Sequence, residues 1–207
     1  MSERHGPTRG EIIAIGACLA LTAFCIVTID RPLARVLGGY EQSGFWSKSV
    51  EMLEWTLGLP FFKLFAPVVL VVAMVTAMAV PRFRFAAPPL MVIAGTHLIC
   101  RFLTNRIKDA TGRLRPSEWL AKGGDETFFR DGIAFPSGHV VLFASILIPL
   151  AIVYPRTRPL LAIVAFVSLA RILVNAHYVS DALGSVTLAG LAALALASLV
   201  RPRVSRR

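Results

Sequence analysis

Residues 177–200 read HYVSDALGSVTLAGLAALALASLV: a histidine, an aspartate four residues later, and then 19 residues, 182–200, without a single charge. An apolar run of about 18–25 residues is long enough to cross the hydrocarbon core of a bilayer as a helix. The stretch therefore predicts a membrane helix with ionisable groups gathered at its start. Such groups are costly near hydrocarbon, so their place at the end of a span marks a candidate functional site.

Working outward, five further apolar runs occupy residues 12–29, 61–80, 86–104, 138–154 and 159–176, in a chain of 207 residues that is 56% hydrophobic. That apolar share is well above what a soluble globular domain carries. The expected fold is all-α: an integral membrane bundle of six transmembrane helices, with a periplasmic loop region carrying the site. The spans leave no room for a separate soluble domain, so residues 1–207 are read as one membrane-embedded domain. The first run is span-length and lacks a small-residue cleavage pattern, so it is read as a retained helix. Cys18, Cys25 and Cys100 lie inside spans without paired spacing, which indicates neither a disulfide framework nor a metal site.

The net charge of +10 does not point to nucleic acid, because the basic residues are distributed by side. Arg4 and Arg9 precede the first run, Arg82 and Arg84 separate the second and third, Arg156 and Arg158 the fourth and fifth, and Arg201, Arg203, Arg206 and Arg207 follow the sixth. The positive-inside rule puts all of these, and both termini, in the cytoplasm. Residues 31–60, 105–137 and the short 177–181 link then face outward. The 105–137 loop is itself basic (Arg106, Lys108, Arg113, Arg115, Lys122, Arg130), which breaks the rule unless an anionic substrate calls for cations there. Arg31 and Arg35 are a smaller breach without an explanation at this level.

The 31–60 segment mixes Phe45, Trp46, Leu53 and Trp55 with Lys48, Glu51 and Glu54, the pattern of an amphipathic helix lying in the outer interface. Gly123-Gly124 and Gly132 punctuate residues 117–135, which are expected to form an irregular lid.

Three stretches on the outward side carry chemistry. Lys108 and Arg115-Pro116 come first; His97, Arg101, Thr104 and Lys108 share one helix face leading up from the bilayer, which makes Arg101 a further candidate for substrate contact. Pro136-Ser137-Gly138-His139 opens the 138–154 run. Ser137 suits an N-cap, Gly138 lets an anion approach the backbone N–H groups of the first turn, and His139 beside a bound phosphate is suited to donate a proton. Arg171, His177 and Asp181 form the third. Asp181 can hold one imidazole nitrogen of His177 protonated and leave the other as a nucleophile, although it also suits an N-cap.

Taken together, Lys108 with Arg115-Pro116, Pro136-Ser137-Gly138-His139, and Arg171 with His177 and Asp181 resemble the three-part signature of the type 2 phosphatidic acid phosphatase superfamily. The likeness covers residues 97–190 at motif level. Ala170 stands where the family usually has serine before the third-motif arginine. The resemblance implies a metal-independent membrane lipid phosphatase without a cofactor: His177 attacks phosphorus, Asp181 orients it, His139 protonates the leaving group, and Lys108, Arg115, Ser137, Gly138 and Arg171 hold the phosphate oxygens. The product of the first step is a phosphohistidine, which water then cleaves. The implied substrate is a lipid phosphate or diphosphate drawn from membrane lipids at the outer face of a bacterial inner membrane. Undecaprenyl diphosphate and lipid A 1-phosphate rank ahead of phosphatidylglycerol phosphate and phosphatidic acid, because both present phosphate at that face. No nucleic acid and no obligate protein partner is expected. The alternative is a non-catalytic carrier that binds phospholipid phosphate; the family's soluble relatives, the vanadium haloperoxidases, fit less well with six apolar runs.

Overall fold

The computed structural model describes residues 8–39, 44–56, 64–124 and 127–200. Among the described residues the regular structure is helical, without a strand. In chain order the helices are α1 (Arg9–Thr28), α2 (Asp30–Gly38), α3 (Gly44–Thr56), α4 (Phe65–Ala79), α5 (Ala87–Thr111), α6 (Pro116–Ala121), α7 (Gly138–Val153), α8 (Leu161–Leu173) and α9 (Val179–Leu199). Two 3₁₀ turns, Pro81–Ala86 and Pro155–Leu160, lead into α5 and α8.

All six apolar runs fall on helices. Among the described residues, only α1, α5 with its 3₁₀ lead, and α9 are long and apolar enough to cross a bilayer by length and composition. The other three fall short geometrically. At about 1.5 Å rise per residue, the 15, 16 and 13 residues of α4, α7 and α8 give about 20–24 Å, against a hydrocarbon core of about 30 Å. The expected fifth run also begins later than its composition suggests, because residues 155–160 form a proline-bounded 3₁₀ turn. Residues 61–63 of the second run lie outside the described residues, as do Arg4 and residues 201–207 among the charges that set the orientation.

α5, α7 and α9 pack on one another, α1 lies along α9, α4 along α5, and α8 along α7. Gly190 permits the α1–α9 approach: a Cβ there would stand 2.1 Å from Ile15 Cδ1. The outer faces of α1 and α4 leave Ile13, Val27 and Val72 in the open, a surface suited to hydrocarbon rather than water. Thr8 caps α1 by accepting from the Glu11 backbone N–H, and Glu11 answers by accepting from Thr8 N–H and pairing with Arg158 at 2.6 Å. This contact brings the start of α1 and the α7–α8 turn to one end of the bundle. The end of α1, the end of α5 and the starts of α7 and α9 meet at the other.

The layer over that second end is more ordered than a lid. α6 begins at Pro116, Arg113 and Phe129 pair as an isolated antiparallel bridge, and Leu114 N–H donates to Phe128 O at 2.7 Å. Buried Trp119 and Phe128 anchor the segment, with Ala34, Leu114 and Tyr178, in a small second core. The expected irregularity holds for residues 122–124 and 127–135, which carry no helix or strand, while residues 117–121 belong to α6. Arg31 and Arg35 also find a reason here, stacking over Phe128 (4.9 Å) and Trp119 (5.3 Å), with Arg35 donating to Gly124 O. The 31–60 segment divides into α2 and α3. The amphipathic pattern belongs to α3, whose Trp46, Val50 and Leu53 pack inward while Lys48 and Glu51 face out.

Candidate active site

α5 runs on past its apolar part to Thr111 and stops at Gly112, whose φ of +54° is the left-handed cap that glycine accepts most readily. Its N–H closes on Lys108 O at 3.0 Å, placing Lys108 in the last helical turn. Lys108 Nζ stands 3.8 Å from where a Cβ on Gly138 would lie. The absence of a side chain at Gly138 thus keeps the start of α7 open directly beside an ammonium group. Arg115 precedes α6, fixed through its backbone N–H to Glu118 at 2.9 Å. The chain leaves α8 through a tight turn in which the N–H groups of Ala176 and His177 both donate to Arg171 O. That turn sets the third cation beside the imidazole.

Three polar atoms around this space are buried without a partner: Ser137 Oγ, Arg115 Nε and Arg171 Nε. Ser137 occupies the N-cap position of α7 as expected, but its hydroxyl makes no capping bond. The expectation that Ser137 serves as a cap through its side chain is therefore corrected. Buried polar groups are normally paired, so a hydroxyl and two guanidinium nitrogens left over beside Lys108 form a ready set for an anion.

His177 is 3% exposed, and its Nδ1 lies 3.4 Å from Asp181 Oδ2, an electrostatic contact whose hydrogen-bond alignment is imperfect. Nε2 is then the nitrogen free to attack. Burial pushes the His177 pKa below the ordinary histidine value, with Arg171 and Arg115 adding to the effect and Asp181 opposing it. The ring is thereby held neutral, the form a nucleophile needs. Asp181 is not the N-cap of α9; that position is Tyr178, and Asp181 lies three residues inside, accepting from Tyr178 N–H at 2.9 Å.

The sequence reading missed what holds Asp181. Arg113, fully buried, donates from Nη1 to Asp181 Oδ1 and from Nη2 to Asp30 Oδ2, both at 2.6 Å. Ser180 joins the network through its hydroxyl to Asp30, and its backbone N–H donates to Asp30 Oδ1. The guanidinium also lies against the Tyr178 and Phe128 rings, at 4.2 and 4.5 Å from their centroids. In the sequence Arg113 is one loop cation among six, and nothing in its spacing singles it out.

His139 lies on the first turn of α7 and is partly exposed. Its Nε2 stands 3.0 Å from Glu54 Oε1 of α3, a second contact that sequence spacing did not reveal. Arg101 is not brought into this group. It lies seven residues before Lys108 on α5, about 10 Å lower along the axis, and its electrostatic neighbour is His97. His97 itself is buried and donates or accepts at Nδ1 with Ser145 Oγ at 2.8 Å, a packing role. Among the described residues, no three His, Cys, Asp or Glu side chains converge as a metal-binding set.

A helical bundle with apolar outer faces, carrying at one end a buried histidine, a carboxylate behind it and three cations nearby, defines a membrane protein that handles phosphate. Residues 89–205 match the model of the PAP2 superfamily, and the chain belongs to that superfamily, whose members are phosphatases. No curated protein and no solved structure gives a match.

Proposed function

We propose that this protein is a metal-independent phosphatase that hydrolyses a lipid phosphate or diphosphate at the outer face of a bacterial inner membrane, through a phosphohistidine, with six membrane-embedded helices and both termini in the cytoplasm. The observation that carries the reading is the pairing of His177 with Asp181 beside three partnerless polar groups and Lys108. A carrier has use for the cations but not for a buried nucleophile with its own carboxylate.

In the proposed reaction Lys108, Arg115 and Arg171, with Ser137 Oγ and the α7 backbone N–H groups, hold the non-bridging oxygens. His177 Nε2 attacks phosphorus in line as the bond to the leaving oxygen breaks, and His139 gives that oxygen its proton. Water then attacks the phosphohistidine, losing its proton to His139; inorganic phosphate leaves and His177 returns to its neutral form. The donors stabilise charge that grows on the oxygens in the transition state, where a single such group contributes about two to three decades in rate. Arg101 remains a candidate for contact with the substrate below the phosphate. A lipid is favoured because the phosphate-site residues sit at helix ends; the apolar cleft of about 1010 Å³ beside α1 and α8 is lined by none of them. Undecaprenyl diphosphate and lipid A 1-phosphate are favoured over phosphatidylglycerol phosphate and phosphatidic acid.

The test is phosphate release by purified protein in detergent with EDTA, from those four lipids, alongside His177→Ala. Release from one or more lipids, lost by about three decades in the variant, is expected. Release that survives in His177→Ala would refute the phosphohistidine; release abolished by EDTA would refute metal independence.

A further inference from the structure

The contact between His139 and Glu54 has no place in the three-motif scheme, and its carboxylate partner lies before the segment that matches the family. His139 Nε2 is 3.0 Å from Glu54 Oε1, and the two side chains are 35% and 22% exposed. Glu54 is not a loose surface acid that happens to be near. It lies in the last turn of α3, and the inner face of that helix is fastened to the bundle: Val50 is 1% exposed, Leu53 packs against the main core, and the Trp46 ring meets Phe166 of α8 at 5.7 Å. Glu51, on the same helix, faces out and makes no such contact. The same carboxylate of Glu54 is within electrostatic reach of Arg171.

An imidazole has two nitrogens, and the partner of one decides what the other can do. With Nε2–H donated to a carboxylate, the nitrogen left for the substrate is Nδ1. Resting on the phosphatase reading above, we propose that Glu54 is the positioning residue of the leaving-group acid, fixing Nε2–H of His139 so that Nδ1 faces the leaving oxygen. In the first step the Nδ1 proton of the imidazolium passes to the leaving oxygen as the P–O bond breaks. His139 is then neutral, with its remaining proton on Nε2 and still held by Glu54. The lone pair on Nδ1 is thereby aimed at the position from which water must attack the phosphohistidine, and it takes that water's proton in the second step. The two histidines are oriented by two carboxylates through opposite nitrogens: His177 through Nδ1 to Asp181, His139 through Nε2 to Glu54.

A residue that orients an acid matters only where the leaving group needs a proton. The experiment compares Glu54→Gln and Glu54→Ala with the unaltered protein on two detergent-dispersed phosphates of equal chain length, one leaving as an alkoxide and one as a nitrophenolate. The parameter is kcat/KM, which reports only the steps up to departure of the leaving group. Assistance by a general acid is worth about two to four decades, so Glu54→Ala should lose about 10–100-fold on the alkyl phosphate and about threefold or less on the nitrophenyl phosphate. Glu54→Gln, whose amide oxygen can still accept from Nε2–H, should fall between. Glu51→Gln is the control and should match the unaltered protein on both. Equal losses on the two substrates would overturn the proposal and leave Glu54 as a residue that holds α3 in place; so would no loss on either. Absence of phosphate release by the unaltered protein from both substrates would instead refute the phosphatase reading itself.

Discussion

Replacing Arg113 with lysine keeps a positive charge in place but removes the fork that reaches two carboxylates at once. Arg113 binds Asp181 through Nη1 and Asp30 through Nη2, each at 2.6 Å, with all three side chains fully buried. One ammonium group cannot span both, so Arg113→Lys leaves one buried carboxylate without its counter-charge and also loses the planar group that lies against Tyr178 and Phe128. Breaking one partner out of a buried pair costs about 3–5 kcal/mol, a large part of the roughly 5–15 kcal/mol that holds a domain together. Taking about 3 kcal/mol, with a midpoint shift of about 2–4 °C per kcal/mol for a chain of this size, thermal unfolding in detergent should move down by about 6–12 °C. Turnover should fall further than stability predicts, since a displacement of about 1 Å in a group that orients the nucleophile costs about 100-fold. A double-mutant cycle with Asp30→Asn should be strongly non-additive, because the second change removes the carboxylate that the first left exposed to its own field. An Arg113→Lys protein with a midpoint within about 2 °C of the unaltered one and turnover within about twofold would refute the account of Arg113 as the clamp on Asp181.

Ser137→Ala removes a buried hydroxyl that has no partner, so the melting temperature should hold or rise, while binding of vanadate as a phosphate mimic should weaken by about 10–100-fold, the worth of a hydrogen bond to a charged group; a loss of stability with unchanged vanadate affinity would contradict this. The His177 pKa is lowered by burial, so the neutral nucleophile persists below the ordinary histidine value near 6.5, and the acid limb of kcat/KM should lie under that pH. Asp181→Asn removes the group that pulls the pKa back up, so the limb should move lower still even as the rate falls; a limb that moves upward would show the sign to be wrong. The same linkage means that the unfolded chain takes up its proton first, and His177's share of stability is lost as pH falls from 6.5 through the folded pKa, which acid titration of the melting temperature would detect.

The positions of the helices were legible because charge-free runs are hard to mistake, and the three motif stretches were legible because they sit at the ends of those runs. Lengths were less so: α8 is 13 residues because Pro155 and Pro159 spend the start of its apolar run on a 3₁₀ turn. The Lys108 to Asp181 set could be read from residue types and spacing, and the structure brings it to one end of the bundle. Asp30 and Glu54 could not, since their partners are 83 and 85 positions away and no spacing rule reaches across helices. Residues 117–135 were legible in part, since 117–121 join α6 while 122–124 and 127–135 are irregular as expected. Glycine marks where a chain can bend, whereas the order of this segment comes from Trp119 and Phe128 being buried under α2.

The match to the superfamily begins at residue 89, and the carboxylate that shares Arg113 with Asp181 lies at residue 30. Asp30 emerges first during synthesis and must wait for nearly the whole of the later chain, since Ser180 and Asp181 complete its bonding. Without Asp30, Arg113 faces Asp181 with only half of its counter-charges in place. Under the proposed mechanism the hold on the nucleophile's carboxylate thus depends on a residue outside the matched segment.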